Sequence, residues 1–150
     1  MKVFLAGIIQ GSKKSETVHS QDYRSHIKAF LKANIPGIEI VDPVDGHEES
    51  INYDDTRARE VFFGHLAMID SCDLLIAFLP EASMGTAVEM TEAYEKQIPI
   101  ITVSPMTINW VVRLFSWRIF ETIEGFEQFI RDNNIDDIIN EFRDKIEEKV

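Results

Sequence analysis

A single cysteine, Cys72, leaves the chain without an internal disulfide and without a thiolate cluster for a metal. It lies at the mouth of an apolar run, where a buried, inert thiol is the expectation rather than a nucleophile. Positive charge is also scarce: 15 Lys and Arg stand against 26 Asp and Glu, a formal net charge of -11. That balance argues against long-range attraction to DNA, RNA or an anionic membrane, while leaving room for a small ligand in a locally basic pocket. No apolar run approaches the roughly 18 residues of a membrane span. Met1-Lys2 leads into a short apolar stretch with no signal-peptide pattern, so the expected location is the cytoplasm. Repeats, linkers and low-complexity segments are missing as well. A chain of 150 residues with 45% hydrophobic content then reads as one domain, 1–150, with a core of its own.

What is present is an alternation. Short, almost continuous apolar runs occur at 2–6 (KVFLA), 38–41 (IEIV), 73–79 (DLLIAFL) and 99–103 (PIITV), with a fifth short run at 118–121. Strands buried on both faces read this way. Between them, 21–33 carries Tyr23, Ile27, Phe30 and Leu31 at helical spacing and stops at Asn34-Ile35-Pro36-Gly37. A second helix is expected over 54–71, repeating Ala58, Val61 or Phe62, His65 or Leu66, and Ile69. A third is expected over 86–96 and a fourth over 106–117. The fourth has so little polar surface that it should be buried against another subunit. Residues 122–150 suggest two terminal helices broken at Asp132-Asn133-Asn134. The order indicates an α/β fold: a doubly wound, mostly parallel five-stranded sheet with helices on both faces, of the Rossmann or flavodoxin kind.

The segment Ser83-Met84-Gly85-Thr86-Ala87-Val88-Glu89-Met90 follows the third run and opens a helix. Thr86 to Glu89 has capping-box spacing, which would make Glu89 helix punctuation. Alternatively, a carboxylate at the carboxyl end of a parallel strand faces the usual crevice of an open sheet. Gly7-Ile8-Ile9-Gln10-Gly11-Ser12-Lys13 follows the first run with neither Walker nor dinucleotide spacing, so its glycines either turn the chain or cradle a ligand. His19, His26, His47 and His65 lack zinc-site spacing, and His65 is expected on a helix surface or in the core. Asp42, Asp45, His47, Glu48 and Glu49 read as a solvated acidic loop rather than a metal site.

Together, "FLAGIIQGS", "IDSCDLLIAFL" and "SMGTAVEMTEAYEKQIPIITV" resemble the nucleoside 2-deoxyribosyltransferase family, whose superfamily includes the nucleoside 5'-monophosphate N-glycosidases. The resemblance runs through most of residues 2–113, and its most specific element is the turn Gly85 to Glu89 after an Asp-led strand. It implies that Glu89 is the nucleophile on the anomeric carbon and that Asp73 is the second carboxylate, associated with proton transfer to the leaving base. The helix N-terminus should favour ionised Glu89. Substrate contacts are implied for Gly7, Gln10, Gly11, Ser12, Ser83 and Gly85. Asn109 belongs to a segment that a neighbouring subunit would contribute.

Ser83 resembles the monophosphate hydrolases, whereas Asn109 resembles the transferases. Phe4 stands where many members carry a nucleophile-orienting Tyr, and Gln10 where the monophosphate hydrolases carry Arg. Phosphate would then fall to Ser12, Lys13, Lys14 or Arg113. The resulting expectation is a homodimeric or larger enzyme that cleaves the N-glycosidic bond of a nucleoside 5'-monophosphate, without cofactor or metal. Its rivals are base exchange on deoxynucleosides and a noncatalytic nucleotide-binding module of the same fold.

Overall fold

The computed structural model describes residues 1–11 and 18–147. Its five strands are β1 (Lys2–Gly7), β2 (Glu39–Val41), β3 (Leu74–Phe78), β4 (Ile100–Val103) and β5 (Arg118–Phe120). They form one sheet in the order β2-β1-β3-β4-β5, every pair parallel. Register follows the apolar pattern, with Val3 beside Leu74 and Leu75 beside Ile100. Alternation along the strands sends Val3, Leu5, Leu74, Ile76 and Ile101 to one face and Phe4, Ala6, Leu75, Ala77 and Ile100 to the other. Both sets are apolar because both faces are covered.

The first face packs on α1 (Asp22–Asn34), α5 (Ile123–Asp132) and α6 (Ile135–Glu147) through Ile27, Leu31, Phe126, Ile130, Ile135 and Ile139. The second packs on α2 (Asp55–Ile69), α3 (Met84–Glu95) and α4 (Trp110–Phe115) through Leu66, Ile69, Met90, Ala93 and Val112. A buried aliphatic side chain of this kind contributes about 1.5–3 kcal/mol, so these two layers account for the architecture. Cys72 belongs to the second layer, and burial pushes its thiol above the ordinary range, as suits an inert core residue.

Two helix starts differ from the sequence expectation. α3 begins at Met84, because Ser83 in extended conformation caps it by accepting from the Thr86 amide. α4 spans only Trp110–Phe115, because Asn109 Oδ1 accepts from Val111 and Val112 N–H and Ser116 turns the chain into β5. Both caps satisfy amides that the first helical turn leaves without partners.

Candidate active site

The strand order reverses between β1 and β3, since β1 is followed by β2 on one side and by β3 on the other. The loops leaving the carboxyl ends of these two strands must part there, opening a crevice. A cavity of about 330 Å³ occupies it. Gly7, Gln10 and Gly11 bound it from the β1 side, Ser83, Gly85 and Glu89 from the β3 side, and Val61, Phe62 and His65 wall it from α2.

Two glycines are needed for the shape of the β1 side. A Cβ on Gly7 would collide with the Tyr23 hydroxyl, which donates to Ile8 O at 2.9 Å. Gly11 has φ +59, and a Cβ there would meet Ile8 Cδ1 at 2.7 Å and His19 Nε2 at 2.9 Å. Beneath them, Arg24 from α1 is 3% exposed and holds the end of β1 by donating to Leu5 O at 3.0 Å and Gly7 O at 2.8 Å. Its charge is met by Asp42 Oδ1 at 2.7 Å, and Asp42 Oδ2 also receives Lys28 Nζ at 2.8 Å. A buried guanidinium is tolerated when, as here, a carboxylate and backbone carbonyls meet it. Phe4, by contrast, is wholly buried in the core of the second face, so the phenol nearest the end of β1 comes from Tyr23.

Glu89 is not a cap. With Ser83 at the N-cap, Thr86 lies inside α3 and donates its hydroxyl to Ser83 Oγ at 3.1 Å, while Glu89 falls in the second turn. The capping-box reading is therefore excluded. The helix field fades within the first turn, so it does little for this carboxyl. Glu89 is enclosed on most sides and opens into the cavity. Burial pushes its pKa up to about 8; the Arg24 charge pulls it down and the Asp42 charge pushes it up further. The expected preference for the ionised form is thus reversed, because desolvation outweighs the nearby cation.

Ser83 and Gly85 lie beside Glu89 on the same rim. Ser83 Oγ accepts twice from Thr86, which leaves its own proton to donate, and the space where a Gly85 side chain would stand is open. Asp73 is not brought to the cavity. It precedes β3 at the amino edge of the sheet, roughly 16 Å of strand away from the loop leading to α3. There Asp73 Oδ2 accepts from Lys2 N at 2.8 Å and Oδ1 pairs with Arg143 at 3.3 Å. A residue before a parallel strand and one after it necessarily sit at opposite edges, which corrects the catalytic role inferred for Asp73. Asn109 lies outside the cavity of its own chain, spent on capping α4. Ser12, Lys13 and Lys14 lie outside the described residues.

His65 is the residue that sequence reasoning misplaced. It is neither a surface nor a core side chain: it lines the cavity with Ala58, Val61 and Phe62. These four recur at the spacing of one helix stripe, and only the lower residues of α2, Leu66 and Ile69, reach the sheet. The periodicity was visible, but a stripe facing a cavity and one facing a core look alike. The acidic loop also resolves differently, since Asp42 turns inward to Arg24 and Lys28 and Asp45 joins Lys28 at 2.6 Å. Among the described residues no group of His, Cys, Asp and Glu is gathered for a metal ion.

The fold is shared with solved proteins. A 2-deoxyribosyltransferase from Bacillus psychrosaccharolyticus superposes with a TM-score of 0.68 at 17% identity, over 89% of this chain and 93% of that one. A CMP N-glycosidase from Clostridium botulinum gives 0.52 at 21% identity, over 89% and 100%. No curated protein sequence matches the chain. The model of the nucleoside 2-deoxyribosyltransferase family matches residues 3–119. With that match spanning most of the sequence, the chain belongs to the nucleoside 2-deoxyribosyltransferase family, a family of enzymes.

Proposed function

We propose that the protein hydrolyses the N-glycosidic bond of a nucleoside 5'-monophosphate, with Glu89 as the nucleophile. The observation that carries this reading is a carboxyl freed from capping, set in a cavity at the switch point beside a helix N-terminus. Cleavage builds positive charge on the sugar, and a carboxylate beneath the anomeric carbon stabilises it or forms a glycosyl ester that water then opens. The Ser83 proton and the first amides of α3 suit a 5'-phosphate on the same rim. Val61, Phe62 and Ile51 offer apolar contact to a base.

Base exchange on a deoxynucleoside is the second reading, and one observation favours it: the described lining contains no Lys or Arg to meet a phosphate dianion. Free-base release from a panel of nucleosides and their monophosphates, with and without a second base, separates the two. Wild type is expected to prefer monophosphates. Ser83→Asp should reverse that preference more than tenfold, about 1.4 kcal/mol, since a second negative charge would face the phosphate. Asp is also an N-cap residue, so α3 should survive the change. Faster release from nucleosides, unaltered by Ser83→Asp, would favour exchange. No release at all would leave nucleotide binding without catalysis.

The same reading includes self-association. Ile108 and Trp110 are 84% and 74% exposed beside α4, and Met84 and Val88 lie open on α3, which packs against α4. A second copy covering this apolar surface is what the composition of the segment suggests.

A further inference from the structure

Breaking a bond from C1' to a base nitrogen leaves the electron pair on the base, and a neutral base leaves only if it gains a proton. Asp73 is at the wrong edge of the sheet for this, and Glu89 is committed to the sugar. The titratable side chains lining the cavity among the described residues are Glu89, His65 and Tyr53. Tyr53 holds its hydroxyl against His47 Nδ1 at 3.0 Å. The His47 ring in turn packs edge-on against His65, centroids 5.3 Å apart at 76°.

Resting on the glycosidase reading above, we propose that His65 is the proton donor to the departing base, with His47 and Tyr53 as the residues that position its ring. It stands on the same wall as Val61 and Phe62, where the base would lie, and in the same cavity as Glu89. The steps balance. A Glu89 carboxylate oxygen bonds to C1' while the C1'–N bond breaks, and the base takes the His65 imidazolium proton. Neutral His65 then takes a proton from water as that water's oxygen bonds to C1' and the ester opens. Glu89 leaves as carboxylate and His65 as imidazolium, ready for another cycle. If a second base replaces water, His65 accepts that base's proton instead.

The groups facing His65 are His47 and Asp42 from the segment after β2, Tyr53 beyond the short turn Ser50–Asn52, and Glu89 from α3. Burial lowers its pKa and His47 lowers it further, while Asp42 opposes both. Glu89 is raised to about 8, so between the two values the one remaining proton sits mainly on Glu89, and the productive form, with Glu89 ionised and His65 protonated, is the minor form carrying the same number of protons. The wild-type rate should therefore rise as the first proton leaves and fall above about pH 8 as the second does.

The test follows base release against pH for wild type, Glu89→Gln and His65→Gln, with His65→Asn if the Gln variant is unfolded by circular dichroism. A folded His65 variant should lose about 10²-fold or more. Its profile should also invert at high pH, rising through about 8 instead of falling, because only Glu89 ionisation still matters. If wild type releases base, Glu89→Gln does not, and a folded His65 variant keeps both rate and profile, the role of His65 is overturned and the glycosidase reading stands. If wild type releases no base, or Glu89→Gln matches it, the glycosidase reading itself falls and carries His65 with it.

Discussion

The two faces of the sheet are built from the same strands and serve different ends. The face under α1, α5 and α6 is sealed by Ile27, Leu31, Phe126, Ile130, Ile135 and Ile139. The face under α2, α3 and α4 contains the cavity, and its helices and the turn before α4 expose Phe62, Phe63, Met68, Met84, Val88, Tyr94, Ile108, Trp110 and Leu114. Among the described residues, Val18 is the one large exposed apolar residue that lies elsewhere, and it borders the cavity. One side is thus optimised for burial, whereas the other forgoes burial around a site and across a surface. Regions that give up stability in this way are where binding and catalysis are expected.

The largest test of that contrast is Glu89→Gln. If the open face trades stability for chemistry, this change should abolish base release by about 10³-fold and also stabilise the fold. The pH dependence follows from a carboxyl raised from 4.5 to about 8. Below 4.5 both folded and unfolded chains hold the proton, and the carboxyl imposes no loss. As pH rises through the window, the unfolded chain ionises while the folded one resists, so wild-type stability falls until about pH 8 and then levels. Gln carries no such charge. The variant should match wild type near pH 4 and exceed it at pH 8 to 9 by on the order of 3 kcal/mol. Thermal unfolding of both proteins at these pH values measures it. Equal stability at high pH would mean that Glu89 is well solvated or firmly paired.

The contrast between the faces was only half legible in the sequence. Parallel strands announce themselves as continuous apolar runs because both faces are covered, so their number and the helices between them could be read directly. Their order could not, since pairing between β1 and β3 joins residues some 70 positions apart, Val3 and Leu74, and no local signal encodes it. Glu89 stood out because of the turn before it. Yet Ser83 and Thr86 are both capping residues three positions apart, and only the fold selects Ser83. Arg24 shares a buried stripe with Ile27 and Leu31, a spacing present in the sequence but masked by the usual assumption that Arg is solvated. His65 was hidden for the opposite reason, as an ordinary member of an amphipathic stripe. Asp73 was legible but misread: it precedes β3 and Glu89 follows that strand, an order that already puts the two at opposite edges of a parallel sheet, and the family resemblance was followed instead.

A smaller effect is expected from the exposed apolar surface. Trp110 stands at the first position of α4, well out from the core, so Trp110→Asp should leave the monomer folded while weakening self-association by about 2 kcal/mol. Sedimentation of wild type and variant over a concentration series reads this. A wild type that sediments as a monomer at micromolar concentration and releases base at full rate would show that the open face needs no second copy, and would confine its purpose to the cavity.

The smallest effect should come from Asp73, at the sheet edge opposite the cavity. Its side chain is 42% exposed, its ion pair with Arg143 is 3.3 Å long on the surface, and its firm contact is the Lys2 amide at 2.8 Å. Asn keeps an oxygen to accept from that amide and gives up only a screened charge. Asp73→Asn should therefore change stability by no more than about 0.5 kcal/mol. It should also leave the rate and pH profile of base release as they are, because no proton of Asp73 can reach a base bound beyond the other end of β3. A Glu89-like loss in this variant would mean that the chemistry lies at the amino edge of the strands, contrary to the crevice logic of the parallel sheet. An unchanged rate would separate what family resemblance implies for a residue from where this chain puts it, and would leave the proton to a group on the cavity wall.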